Sequence, residues 1–183
     1  MTIISSKSAW TLEAMETFLD GAVIPIRIAV LDGQFPLICS TWFYFDASTK
    51  QFVCASHERS KLIRVLEKVD RCGFEIATND SPYRGIRGKA VATLSRANVD
   101  TSLRRLVDRY LGSTNAGLGQ WLLSRVDEEY EIRLIIWETR YVPLVDGPKG
   151  DIWCKATYDP TGRPEDVITK RTDVHKGSKT GWG

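Results

Sequence analysis

The sequence predicts a mainly β protein, a small antiparallel barrel with helices at its rim. Two observations carry that reading. Strand-like apolar stretches outnumber helical ones, and they follow one another as hairpins joined by short polar turns. A parallel doubly wound sheet would instead alternate strand and helix along its length. The 183 residues suit one domain with a sizeable core and are too few for two ordinary ones.

The elements follow in order. Residues 11–20 read as a short helix: Thr11 is the candidate N-cap, Leu12, Met15 and Leu19 form an apolar stripe, and Gly21 stops it. Val23–Leu31, rich in Val and Ile, reads as a strand ending at the hairpin signal Asp32-Gly33. Leu37–Phe45 and Gln51–Ala55 are two further strands, joined by the polar turn 46–50. A helix over about 57–69, capped by Ser56, places Leu62, Leu66 and Val69 at helical spacing. Cys72–Thr78 and Gly85–Leu94 read as strands, Thr101–Leu111 and Leu118–Val126 as helices, and Glu131–Tyr141 as the last strand. Beyond Pro143 the chain is charged and broken by Pro and Gly. The barrel domain is therefore expected over 1–142, with an irregular, partly flexible arm over 143–183.

Composition narrows the function. A net charge of +2, with acids and bases mixed throughout, leaves no electrostatic footprint for nucleic acid or an anionic membrane surface. The N-terminus lacks the pattern of a secretory signal, and no apolar run reaches membrane-spanning length, so a cytoplasmic protein is expected. Cys39, Cys54, Cys72 and Cys154 are scattered, with His57 and His175 as the two histidines. Reduced, buried thiols are expected in preference to a metal site.

Candidate binding residues are cations in unusual settings. Ser56-His57-Glu58-Arg59-Ser60-Lys61 opens the second helix, where Arg59 and Lys61 oppose the helix dipole unless an anion sits between them. The ordinary alternative is a solvated helix start. Pro82-Tyr83-Arg84-Gly85-Ile86-Arg87-Gly88-Lys89-Ala90 sets three cations among glycines at a strand entry. It suits either phosphate or a charge-protected edge. Arg27 interrupts an apolar strand and needs solvent or a partner. Trp42, Phe43 and Tyr44 could flank a planar ring or simply fill the core. No nucleophile elbow or phosphate-cradling lysine loop is present, and no side chain stands out as a catalytic acid or base.

Taken in order, Arg27-Ile28-Ala29-Val30, Thr41-Trp42-Phe43-Tyr44-Phe45, the Ser56–Lys61 segment and Tyr83-Arg84-Gly85-Ile86-Arg87-Gly88 resemble the FMN-binding split-barrel superfamily, specifically its pyridoxamine 5'-phosphate oxidase-like proteins. The resemblance covers roughly residues 10–140. It implies a six-stranded antiparallel split β-barrel, a homodimer with FMN at the subunit interface, and a flavin-dependent oxidoreductase acting on a small-molecule substrate or redox partner. It nominates Arg27, Arg59, Ser60, Lys61, Arg84 and Arg87 for the cofactor, with backbone around Trp42 beside the ring. Gly85 stands where the oxidases place a flavin-touching Gln, and their C-terminal Trp and Arg-x-x-Pro elements are absent, which argues against vitamin B6 oxidation. A deazaflavin coenzyme in place of FMN, or a non-catalytic flavin-binding or stress protein, fits the same resemblance. An unrelated anion- or nucleotide-binding module is the reading outside it.

Overall fold

The computed structural model describes residues 10–79, 84–112 and 116–143, with backbone alone for Ala116 and 138–143. The arm expected after Pro143 lies outside them.

Helix α1 (Leu12–Gly21) starts where the Thr11 hydroxyl accepts a hydrogen bond from the Ala14 N–H at 3.2 Å, and it buries Met15 and Leu19. Strands β1 (Ile26–Asp32) and β2 (Phe35–Thr41) form a hairpin whose turn begins at Gly33, with φ of 64°. That left-handed angle explains the glycine after Asp32. β3 (Phe43–Asp46) and β4 (Gln51–His57) are a second hairpin, followed by α2 (Lys61–Leu66). β5 (Arg71–Ala77) and β6 (Arg84–Ser95) lead to α3 (Val99–Leu111), α4 (Ala116–Leu123) and a single 3-10 turn. β7 (Glu129–Pro143) closes the domain.

All pairings are antiparallel, and the strands form one seven-stranded sheet in the order β2-β1-β5-β6-β7-β4-β3. Its two edges, β2 and β3, are consecutive in the chain and separated by Trp42 alone. A flat sheet could not join its own edges through one residue, so the sheet must curl. Thr41, at the end of β2, donates its hydroxyl to the Ala55 carbonyl of β4 at 3.1 Å across the seam. No ladder joins β2 to β3 or β4, so the barrel is split along that line.

Two expectations change here. The apolar run 37–45 is two strands, which raises the count from six to seven. Thr41 pairs with Ile26, whereas Phe43 pairs with Cys54 at the other edge. The helix expected over 57–69 is only Lys61–Leu66, because β4 continues to His57 in register with Glu129. Its cap is Ser60, not Ser56: the Ser60 Oγ accepts from the Ile63 N–H at 3.2 Å.

The sheet packs on both faces, but unevenly. Inside the curl, Ile26, Ile28, Phe52, Ile76, Ile132 and Leu134 are fully buried, and α1 and α2 add Met15, Leu19 and Ile63. On the outer face, α3 covers β3, β4 and β7, burying Tyr44, Val53 and Leu106. A polar network runs through that layer: the Tyr44 and Ser102 hydroxyls lie 3.1 Å apart, Ser102 donates to Glu131, and the Arg133 Nε donates to Glu131 at 2.6 Å. Among the described residues, no helix covers the outer face of β1, β5 and β6, and none is long and apolar enough to cross a membrane.

Candidate functional site

Strand periodicity organises the uncovered face. Arg27, Glu75 and Arg87 are register partners and form one outward row across β1, β5 and β6. Two residues along each strand, about 7 Å away, the next row is Ala29, Gly73 and Lys89. The row after that includes Arg71 and Val91, with Leu31 and Pro36 paired on the neighbouring hairpin. These last two rows line an open cleft of about 760 Å³, with Trp137 on its rim. Trp137 reaches that position through a bulge: Lys89 pairs with Glu138 and Ala90 with Ile136, so β7 carries one extra residue. The cleft thus has a floor of small residues (Ala29, Gly73), apolar walls (Leu31, Trp137) and two cations (Arg71, Lys89).

At its near end, the Arg27 guanidinium holds Glu75 at 3.6 Å and donates to the Asn79 side chain at 3.2 Å. The cation buried in an apolar strand by sequence is therefore directed outward and paired. At the far end of β1, roughly 17 Å on, the Lys61 ammonium lies 2.9 Å from Asp32. The Ser60 hydroxyl beside it accepts from Ser56 at 2.9 Å and from the Ile63 N–H, and so keeps its own hydrogen to donate. Arg59 is 83% exposed, with Glu58 at 3.9 Å. His57 Nδ1 accepts from the Arg59 N–H at 3.0 Å, which leaves the proton on Nε2 to be donated to Glu128 at 2.8 Å. Arg125 and then His57, both bonded to Glu128, pull its carboxyl down to about 2.

The nominated residues therefore form two separate groups: Arg27 with Arg87 on the outer face beside the cleft, and Arg59 with Ser60 and Lys61 near Asp32 at the end of β1; none of them lines the cleft itself. No single phosphate could touch both. Arg84 joins neither group, because residues three apart on a strand face opposite ways. It lines a separate pocket against α1. The Trp42 indole is stacked on Tyr110 at 5.1 Å and 9°, so its ring is committed to α3. Of the cleft residues, the sequence singled out Lys89 among the cations of 84–89 but neither Arg71 nor Trp137. Alternation already placed Lys89 beside Arg87, but nothing in the sequence marks the bulge that exposes Trp137.

No profile of a known protein family matches the chain. A 59-residue stretch, 30% of this chain, is 42% identical to part of Ferlin 2 of Tetrahymena thermophila; it is 4% of that protein's length and carries no family assignment. Solved structures resemble it over most of its length. The conserved protein Rv2991 of Mycobacterium tuberculosis aligns at TM-score 0.64 and 14% identity, covering 78% of this chain and 91% of that one. An F420 reductase aligns at TM-score 0.57 and 15% identity, over 70% and 98% of the two chains. A candidate pyridoxamine 5'-phosphate oxidase of Listeria innocua aligns at TM-score 0.54 and 9% identity, over 69% and 94%. The chain has the split-barrel fold of the pyridoxamine 5'-phosphate oxidase-like proteins.

Proposed function

We propose that this chain binds a flavin along the uncovered face of β1, β5 and β6, works as a homodimer, and serves as a flavin-dependent oxidoreductase. One observation carries the reading: an open cleft floored by Ala29 and Gly73 and carrying Arg71 and Lys89 lies on the half of the sheet that no described helix covers, with the row of Arg27 and Arg87 beside it. A flavin mononucleotide is a flat ring with a phosphate on a flexible arm. The residues present fit it in kind, with Ala29 and Gly73 as a floor for a ring and Lys61, Ser60 and Arg59 as donors for a phosphate. Arg27 and Arg87 would hold the ring's polar edge. Once bound, the flavin would supply hydride and electron transfer. The chain's own work would be to orient the ring, to offer cations to its anionic parts, and to shield one face from water. Lys61 would exchange Asp32 for the phosphate, which keeps the lysine ordered before the ligand arrives.

A deazaflavin is the second reading, favoured by the structural likeness to an F420 reductase. Its ring and phosphate present the same chemistry to the same residues. Titrating FMN against wild type and Lys61→Ala, by quenching of flavin fluorescence, tests the assignment. Loss of one charge-assisted contact, worth about 1.5–3 kcal/mol, should weaken affinity roughly ten- to a hundredfold. Equal affinities would move the phosphate elsewhere. A protein that takes up neither FMN nor a deazaflavin would overturn the reading.

A further inference from the structure

We propose a second ligand site, on the opposite face of β6 from the cleft, that takes a small monoanion with an apolar ring. It stands independently of the flavin reading. The site is a pocket of about 800 Å³ between α1, the residues leading into β1, and the ends of β5 and β6. That volume lies within the range of small-molecule sites, roughly 300–1,000 Å³.

Its walls are apolar. Trp10 and Phe18 are in contact, with ring centroids 5.1 Å apart and planes tilted by 58°, and Val23 and Ile24 continue the surface. Val23, 54% exposed, leaves apolar surface open at the pocket. The charge at the pocket is Arg84. No described residue pairs with the Arg84 guanidinium, a lack it shares with Arg64 and Arg71, but Arg84 is the one of the three that lines this pocket.

The hydroxyls nearby already carry hydrogen bonds, and only Thr11, which accepts, keeps its own hydrogen to donate. Thr11 accepts from the Ala14 N–H, Thr17 donates to the Glu13 carbonyl, and Thr78 bonds both backbone groups of Arg84. A sugar or nucleoside, which needs many polar partners, is therefore poorly served. A ring with one anionic group is well served. Glu13 also lines the pocket, in the first turn of α1, where its charge suits the helix dipole. Its carboxylate disfavours a second negative charge, so a carboxylate or sulfonate fits better than a phosphate dianion.

The test uses 1-anilinonaphthalene-8-sulfonate and its uncharged analogue N-phenyl-1-naphthylamine as fluorescent probes of the whole chain. The sulfonate should bind saturably at one site per chain. Arg84→Gln, at an exposed position, should weaken it about tenfold or more and leave the neutral probe within about twofold, since only the charged contact is lost. Phe18→Ala should weaken both. Unchanged sulfonate affinity in Arg84→Gln would overturn the proposal, as would absence of saturable binding. Binding that is lost on Lys89→Gln and kept on Arg84→Gln would assign the probe to the sheet-face cleft, and would overturn it equally.

Discussion

Asp46 ends β3 with a carboxylate that accepts from the Ser48 hydroxyl at 2.6 Å and from the Ser48 N–H at 3.0 Å. Those bonds, the Ser48 hydroxyl foremost, pull it down to about 2 from 3.8. A carboxyl depressed on folding adds stability above its unfolded value, and that stability is lost as pH falls from about 4 to about 2. Asp46→Asn should cost roughly 1–2 kcal/mol at neutral pH, and the gap should close toward pH 2. Urea midpoints at the two pH values check the sign. Gly85 makes a different single-residue demand. A Cβ there would meet the Ala77 Cβ and the Ile76 carbonyl at 2.6 Å, so Gly85→Ala should destabilise by about 1–3 kcal/mol in the same assay. The sequence announced the glycine but not the crowding, which comes from how closely β5 and β6 approach at that end.

Among the elements, α1 depends on α3. One nitrogen of Arg109 donates to the carbonyls of Leu19 at 2.7 Å, Asp20 at 3.0 Å and Ala22 at 2.9 Å, closing the C-terminal end of α1 from another helix. The neighbouring Tyr110 hydroxyl donates to the Ile24 carbonyl at 2.8 Å and accepts from the Phe43 N–H at 3.3 Å. Arg109→Ala should cost about 1.5–3 kcal/mol and lower amide-exchange protection in α1 more than in β5 or β6. Equal loss everywhere would mean that α1 is held by its apolar stripe alone. This coupling over some ninety residues was not legible in the sequence. What was legible was local: the Thr11 cap, the Asp32-Gly33 turn, and the alternation of Arg87 and Lys89 against Ile86 and Ala90 along β6 all hold. The cap of α2 was misplaced because Ser56 and Ser60 are equally good capping residues, and only the pairing of His57 with Glu129 decides between them. The candidate site was half legible. The nominated cations stood out by their odd settings, but Arg71 did not, and the faces they share depend on register.

At the scale of the molecule, the uncovered face presents Leu31, Ile38 and Trp137 to solvent, at 57%, 65% and 63% exposure. Together with the edge strand β2, this is the surface where the proposed homodimer would form. Light scattering at micromolar concentration should give twice the chain mass for wild type and a monomer for Ile38→Asp; a monomeric wild type would rule out the dimer. Closure of the sheet has a consequence for synthesis. β7 lies between β6 and β4, and it is the last of the described strands to be made. Until it arrives, no strand ladder joins the two early hairpins, and the apolar inner faces of β4 and β6 have no shared neighbour. A nascent chain stalled before β7 has cleared the ribosome should therefore remain sensitive to protease, and resistance should appear in one step once Pro143 emerges. Birth, for this barrel, ends with a strand set inside its sheet and not at an edge.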